Sequence, residues 1–273
     1  MTGYRAPISG SMPPVVKNLL ILNVLLFLGT VALEAAGINL TRLLGLHFPA
    51  SDYFNPAQFV THMFMHGGFT HLFFNMFALW MFGKILETVW GPKRFLIYYF
   101  VTGIGAAALH TLVNWWSLSS AADAIIAFNN TPSPDSFLIL LKRHFPEVKN
   151  AYLQFIDNWT LDPNSSMYAN QAIHDLNAML QVKIDIPTVG ASGAVFGVLL
   201  AFGMLFPNTE IFLLFPPIPL KAKYLVIGYG LIELYGGVMQ QPGDNVAHFA
   251  HLGGMLFGFF LIKYWNKHRN TFY

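Results

Sequence analysis

The sequence predicts an all-α polytopic membrane protein, and three observations lead to this prediction. Of the 273 residues, 55% are hydrophobic and 10% are charged, whereas a soluble domain carries roughly 25% charged residues. Uncharged stretches long enough to cross a bilayer recur along the chain, and basic residues fall in alternate connections between them. The net charge of +2 and the lack of any RNA- or DNA-binding motif exclude a nucleic-acid partner.

Six stretches are predicted to span the bilayer, since a spanning helix needs about 20 mostly apolar residues. The stretches are Lys17 to Glu34, Asp52 to Lys84, Arg94 to Asp123, Asp185 to Glu210, Lys223 to Gln241 and Asp244 to Lys263. Between their ends, all are free of charged residues except the fifth, which contains Glu233.

The distribution of lysine and arginine predicts the orientation of these spans. Basic residues precede the first span, join spans two and three, join spans four and five, and follow the sixth. Because cytoplasmic loops are enriched in basic residues, both termini are expected in the cytoplasm. The start of span four, with Ser192, then faces the outside. We expect a multi-pass protein of a bacterial cell membrane.

The segment 113–187 separates spans three and four and is expected on the outer side. Helix signals recur in it, including Ser133 followed by Pro134 as a cap and first turn. The chain therefore divides into residues 1–112 (spans one to three with the first outer loop), 113–187 (a helical outer-side insertion) and 188–273 (spans four to six). The insertion is expected to form an ordered cap that influences substrate access; the alternative is an outward bulge without effect on catalysis.

Small residues predict which spans meet. Ser192 lies in "TVGASGAVFG" at the start of span four, among glycines and alanines. In span six, His251 precedes Gly254 and Gly258 in "NVAHFAHLGGMLFGFF". Such small-residue faces let helix backbones approach closely. Packing of span four on span six would bring Ser192 and His251 within reach of each other.

These residue types suit nucleophilic catalysis. A serine hydroxyl needs an adjacent base, and the neutral imidazole of His251 can take its proton and return it to the leaving amine. The backbone N–H of Ser192 can donate to a developing oxyanion, and His71 and Asn75, four apart in span two, are candidates for further donors. No carboxylate is obviously placed to orient His251, so the sequence predicts a Ser-His dyad.

In several of these segments the chain resembles the rhomboid family of intramembrane serine proteases. The matching segments are "HGGFTHLFFN" in span two, "GASG" in span four and "AHLGGMLFG" in span six, and "MFGKILETVWGPKRF" matches the G-x-x-x-E-x-x-x-G junction of spans two and three with Gly83, Glu87 and Gly91. There are two departures. Ala57-Gln58 stands where many members have Trp-Arg, and the segment before span four is much longer than the family's short loop.

The resemblance implies a six-helix rhomboid-like bundle that cleaves transmembrane segments of single-span membrane proteins, without cofactor or metal and with a preference for small residues at the scissile position. It implies that Ser192 is the nucleophile, that His251 is the general base, and that His71 and Asn75 are oxyanion partners. Phe196 stands where the family often has an aromatic residue packed on the catalytic histidine.

Each of these residues also has a structural alternative. Ser192 alone could serve helix packing, and Asn75 could hydrogen-bond a neighbouring helix. His248, one turn before His251, is the rival base, but Gly254 and Gly258 follow His251 at the spacing found in the family, so the resemblance favours His251.

Other polar residues and other functions also have alternatives. His62 and His66, four apart, suggest a metal site, but the H-E-x-x-H motif of metalloproteases is absent, so hydrogen bonds within the outer loop are expected. Glu233 is expected to line a water-filled cavity or to pair with a polar neighbour. The functional rivals are an inactive relative that binds transmembrane segments without cutting and a transporter, for which the chain lacks internal repeats.

Overall fold

The computed structural model describes residues 11–212, 218–239 and 246–267, and these residues are mostly helical. The helices are α1 Pro14–Glu34, α2 Leu40–Leu44, α3 Gln58–Thr61, α4 Phe69–Ala78, α5 Lys84–Trp90, α6 Pro92–Asn130, α7 Pro134–His144, α8 Leu153–Leu161, α9 Ser166–Asp185, α10 Ser192–Leu205, α11 Ala222–Met239 and α12 His248–Lys267. A π-helical turn, Leu79–Gly83, joins α4 to α5. Short 3-10 helices cover His62–Phe64 and Lys149–Tyr152. Two strands, β1 Glu210–Phe212 and β2 Pro219–Lys221, pair antiparallel between α10 and α11.

Among the described residues, three helical segments are long and apolar enough to cross a membrane. They are Pro14–Glu34, Phe69–Trp90 and Pro92–Asn130; each overlaps one of the first three predicted spans, and the second begins well after the predicted start at Asp52. Helices α10, α11 and α12, with 14, 18 and 20 residues, overlap the other three predicted spans, of which positions 240–245 lie outside the described residues. An all-α membrane protein is therefore the fold class.

Glu87 fixes the junction predicted between spans two and three. Its two carboxylate oxygens accept hydrogen bonds from the backbone N–H groups of Val15 and Val16, at 2.9 and 2.8 Å. Because the first N–H groups of a helix lack intrahelical partners, this carboxylate caps α1 from another helix. Gly91, with φ 78°, ends α5, and Pro92 begins α6. The motif thus reverses the chain and holds α1.

Small residues let α6, α10 and α12 pack backbone to backbone; the sequence predicts this for α10 and α12. A methyl group added at Gly254 would collide with the carbonyl group of Gly193, and one added at Gly253 would lie 2.9 Å from the Cα of Ala106. The hydroxyl of Tyr98 on α6 donates to the carbonyl oxygen of Gly197 on α10 at 2.8 Å. These three helices form the centre of the bundle, and the predicted contact of the Ser192 helix with the His251 helix is confirmed.

Gln58 organises the outer loop between α1 and α4, at the position where the sequence departs from the family. Its side-chain oxygen accepts from the N–H groups of His47 and Asn55, at 3.2 and 3.1 Å. Its amide nitrogen donates to the carbonyl oxygens of Leu43 and Tyr53, at 3.2 and 2.9 Å. One buried amide therefore ties four points of the loop together.

The segment 113–187 is helical, and its predicted start lies within a continuous helix, because α6 runs through position 113 to Asn130. Ser133 and Ser136 form a capping box at the start of α7, as the Ser-Pro signal predicts. A second hydrophobic core, distinct from that of the bundle, is built around Trp159, which is fully buried. This core consists of Ile125, Phe128, Phe137, Leu140, Leu141, Phe145, Ile156, Trp159, Ala172 and Leu176.

Candidate active site

Ser192 is the first residue of α10 and follows a glycine that the loop requires. Gly190 has φ 127°, a conformation that side chains disfavour, and an added Cβ would lie 2.8 Å from the ring of His71. The N–H of Gly190 donates to the carbonyl oxygen of His62 at 2.9 Å, and Thr188 pairs with Leu46 in a β-bridge. The outer loop thereby fixes the backbone immediately before Ser192.

His251 lies on α12 at its contact with α10, which we call the seam; Gly193 of α10 and Gly254 of α12 meet there. The His251 ring stacks on Phe196, one helical turn after Ser192, with centroids 4.2 Å apart and planes 6° from parallel. Next to it, the carbonyl oxygen of Ala250 would be 3.5 Å from a Cβ added at Gly193. The stacking predicted for Phe196 is therefore present, and Ser192 and His251 lie on the facing surfaces of two tightly packed helices.

The hydroxyl of Ser192 and the ring of His251 are not hydrogen-bonded in the part of the chain that the structure describes. Hydrogen bonds used in catalysis are often long or poorly aligned in a free enzyme and tighten when substrate binds. What the structure shows is that the two residues belong to helices that pack closely, with Phe196, one turn after Ser192, stacked on the His251 ring.

His71 and Asn75 lie on the helix that borders this region. The His71 ring lies close to the Cα of Gly190, two residues before Ser192. The side-chain amide of Asn75 is buried one turn further along α4 and donates to the backbone oxygen of His71 at 2.9 Å. His71 therefore adjoins the loop that precedes Ser192, whereas the hydrogen bond found for Asn75 is local to its own helix.

The structure corrects the prediction that no carboxylate is placed to orient His251. Oε2 of Glu233, on α11, lies 2.9 Å from Nδ1 of His251 and 2.7 Å from Nδ1 of His248. The expectation that Glu233 pairs with a polar neighbour is confirmed. Both partners lie on one face of α12 because they are three residues apart. The sequence showed an isolated acid in an apolar span, but not which residues it would meet.

His62 and His66 differ from each other in their surroundings. Nδ1 of His62 lies 2.8 Å from the carbonyl oxygen of Gln58, the loop hydrogen bond that was expected, and burial lowers the pKa of His62 to about 4. Both nitrogens of His66 are buried without a hydrogen bond within the described ranges, and its ring packs edge-on to His71 with centroids 5.1 Å apart. Among the described residues, no group of three or more His, Cys, Asp or Glu side chains is arranged to hold a metal ion.

The fold and the site together define an integral membrane protein in which a serine, several histidines and a glutamate meet inside a helical bundle. The model of the Rhomboid domain matches residues 54–132 and 161–267. The chain belongs to the rhomboid family.

Curated relatives agree with this assignment. The chain is 26% identical over 210 residues to "Rhomboid protein 1, mitochondrial" of Saccharomyces cerevisiae, covering 76% of this chain and 42% of the yeast protein. It is 29% identical over 149 residues to "Rhomboid-like protein 11, chloroplastic" of Arabidopsis thaliana, covering 53% of this chain and 51% of that protein. It is 32% identical over 68 residues to "Rhomboid protease GluP" of Bacillus subtilis, covering 25% of this chain and 13% of that protein. The chain thus spans about half or less of the length of these relatives.

Proposed function

We propose that the protein is an intramembrane serine endopeptidase that hydrolyses peptide bonds in transmembrane segments. The observation that carries the proposal is the seam of α10 and α12, where Phe196 stacks on His251 one turn after Ser192. Membership of a family that includes proteins named as proteases supports it.

In the proposed reaction, His251 acts as the general base for Ser192. As Oγ attacks the scissile carbonyl carbon, the O–H bond of Ser192 breaks and its proton moves to Nε2 of His251. The π electrons of the carbonyl group move onto its oxygen, giving a tetrahedral oxyanion. When the C–N bond breaks, the same proton passes from Nε2 to the leaving amine. Attack of water on the resulting ester, by the same proton route, releases the acid and restores Ser192.

The oxyanion needs hydrogen-bond donors that are already oriented. The N–H of Ser192 is at the first position of α10, where backbone N–H groups have no intrahelical acceptor. His71 borders the same loop, and we propose its ring as a second donor. Asn75 is proposed as a third; its side chain would have to turn from the carbonyl oxygen of His71 to reach the oxyanion.

The proposed substrates are single-span membrane proteins, cut where a small side chain occupies the site. A small cavity beside Ser192 supports this preference, because glycine and alanine account for most of its walls. The cavity is lined by residues that include Gly103, Ala106, Ala107, Gly190, Gly193 and Ala194. We propose six spans from the uncharged stretches, and cytoplasmic termini with an outward-facing Ser192 from the basic residues of the connecting loops. We propose a bacterial cell membrane as the location; the relatives named above include mitochondrial and chloroplast proteins as well as a bacterial one.

The test is cleavage of a model single-span substrate by the purified protein in liposomes. Ser192→Ala and His251→Ala are each expected to lose activity, and the double variant is expected to be no worse than either, since residues acting as a unit are not additive. Ser117→Ala and His174→Ala, at exposed positions, are the matched controls and should remain active.

Two results would contradict the proposal. A wild-type protein that binds the substrate without cutting it would support the inactive-relative alternative. Activity that persists in His251→Ala but disappears in His248→Ala would identify the other histidine as the base.

A further inference from the structure

We infer that Glu233 is a positioning residue for the reaction: its carboxylate sets the tautomer and orientation of His251, and His248 holds that carboxylate in place. This inference rests on the proposed function. It replaces the predicted Ser-His dyad by a relay of Ser192, His251 and Glu233 with a second histidine behind the acid.

The first argument is the direction in which Glu233 points. On α11, the neighbouring side chains face outward, with exposed fractions between 49% and 62%; they are Leu231, Ile232, Leu234 and Tyr235. Glu233 itself is 7% exposed. A carboxylate buried at membrane depth is costly unless it is paired. Its inward position therefore requires hydrogen-bonding or charged partners that offset this cost.

The second argument is that α11 and α12 are shaped to bring those partners close. Gly236 and Gly237 lie three and four residues after Glu233, on the same face of α11. An added Cβ at Gly236 would collide with the ring of His248, and one at Gly237 would lie 3.1 Å from the ring of Phe249. The absence of side chains at these two positions is what lets the start of α12 approach the carboxylate.

The third argument is the geometry at the carboxylate. Oε2 accepts a hydrogen bond from Nδ1 of His248 at 2.7 Å. The same oxygen lies 2.9 Å from Nδ1 of His251, but the N–H direction there is not aligned, so this contact is a close polar approach and not yet a hydrogen bond. Stacking on Phe196 restricts tilting of the His251 ring but permits rotation within its plane. Rotation of the ring within this plane is the motion that would align the N–H with Oε2.

The chemical consequence follows from the nitrogen that Glu233 meets. A carboxylate at Nδ1 favours the tautomer with the proton on Nδ1, which leaves the Nε2 lone pair free to accept the proton of Ser192. When Nε2 takes that proton, the imidazolium is stabilised by the adjacent negative charge without any proton moving to Glu233. The other titratable groups near His251 are His248 on α12, His71 on α4 and His110 on α6, and Glu233 is the acid among them.

A purely structural role, in which Glu233 only ties α11 to α12, predicts different measurements from a positioning role. Glu233→Gln separates these two roles. The variant keeps the size and a hydrogen-bond acceptor but removes the charge. We expect kcat to fall by roughly 10²- to 10⁴-fold with little change in KM, the range for loss of acid–base assistance, with about 10⁴-fold the loss when an orienting carboxylate becomes an amide. The acidic limb of the pH profile of kcat/KM should move to lower pH, because the imidazolium loses the charge that stabilises it.

Glu233→Asp and Glu87→Gln complete the experiment. Glu233→Asp keeps the charge and should recover part of the lost kcat and the wild-type position of the acidic limb. Glu87→Gln alters another buried glutamate, which caps α1, and should lower the thermal midpoint without moving that limb. Each variant is purified and reconstituted in liposomes, and its thermal midpoint is measured. A fluorophosphonate probe reports the reactivity of Ser192.

The outcomes are distinguishable. A Glu233→Gln enzyme with wild-type kcat, or one that loses activity only in step with its thermal midpoint and with an unmoved acidic limb, would overturn the inference while leaving the proposed function intact. A wild-type protein that neither cleaves the substrate nor reacts with the probe at Ser192 would overturn the proposed function, and the inference with it.

Discussion

Replacement of Gly254 by alanine tests whether the seam of α10 and α12 sets the catalytic geometry. In the structure, an added Cβ would lie 2.7 Å from the carbonyl carbon of Gly193 and closer still to its oxygen. Ordinary van der Waals contact begins at 3.4 Å, so the carbon alone requires a separation of 3.4 less 2.7, or 0.7 Å. The new methyl group on the backbone of α12 would meet the backbone of α10, and neither can turn aside as a flexible side chain could. The two helices must therefore move apart.

That displacement acts directly on the residues beside the seam, because Ser192 precedes Gly193 and His251 lies one turn before Gly254. A misplacement of about 1 Å can cost on the order of 10²-fold in rate, and overpacking of a core costs about 1–3 kcal/mol. We therefore expect Gly254→Ala to lose about 10²-fold in kcat and to show a lower thermal midpoint.

The assay is cleavage of a model transmembrane substrate in liposomes, with thermal unfolding measured on the same preparations. Gly228→Ala is the matched control, because an added Cβ at this position on α11 would meet nothing within 4 Å. It should keep its activity and gain slightly in stability, since alanine is a better helix former than glycine. Full activity in Gly254→Ala, or equal effects of the two substitutions, would refute the link between the seam and catalysis.

Three further predictions concern other parts of the molecule. Asn75→Ala should lower kcat on the order of 10²-fold with the fold intact; equal losses of activity and thermal stability would identify Asn75 as a packing residue. Ser51 donates to Asp185 at 2.6 Å and thereby lowers the pKa of that carboxyl. A lowered pKa stabilises the fold above the usual value and loses that effect as pH falls through the folded value. The stability difference between wild type and Ser51→Ala should thus be constant from about pH 8 to about pH 5 and shrink below 3.8; an unchanged difference at pH 3 would contradict this. Trp159→Ala should cost the second core about 3–5 kcal/mol, measured by hydrogen exchange in the insertion. If the insertion caps the site, the same Trp159→Ala variant should also change the ratio of the cleavage rates for a transmembrane substrate and a soluble peptide. An unchanged ratio would indicate a bulge without effect on catalysis.

The seam was predictable from sequence because small residues at helical spacing have few other uses within apolar spans. Of the glycines that predict it, Gly193 and Gly254 meet at the contact of α10 and α12, whereas Gly258 faces Tyr98 and Thr102 on α6. The reversal at Gly91 was predictable for a similar reason, since a glycine followed by proline ends one helix and begins the next.

The contact of Glu233 with two histidines was not predicted, because a sequence gives the faces of a helix but not its rotation within a bundle. A signal was nevertheless present. Gly236 and Gly237 share a face with Glu233, and His248 and His251 share a face of the following helix. Taken together, an acid beside two glycines and a pair of histidines three apart point to a close approach of the two helices.

The segment boundary predicted at residue 113 falls inside α6, because nothing in the sequence stops the helix there. From Val113 onward there is no glycine or proline until Pro132, and the helix continues to Asn130. The predicted boundary followed the drop in hydrophobicity. Hydrophobicity indicates which residues suit the bilayer, but it does not decide where a helix ends. Gln58 shows a further limit, since its four hydrogen bonds depend on loop geometry that no motif encodes.

The two hydrophobic cores have a consequence for how the molecule loses its structure. At about 1.5 Å per residue, the 39 residues of α6 extend about 58 Å, roughly twice the hydrocarbon thickness of a bilayer, and each half of this helix serves a different core. Contiguous cooperative units open independently when few contacts join them, so unfolding should proceed in two steps, and the thermal midpoints compared above are those of the step that opens the core of the bundle. A substitution at Trp159 and one at Gly254 would then each shift a different step, with α6 as the element common to both.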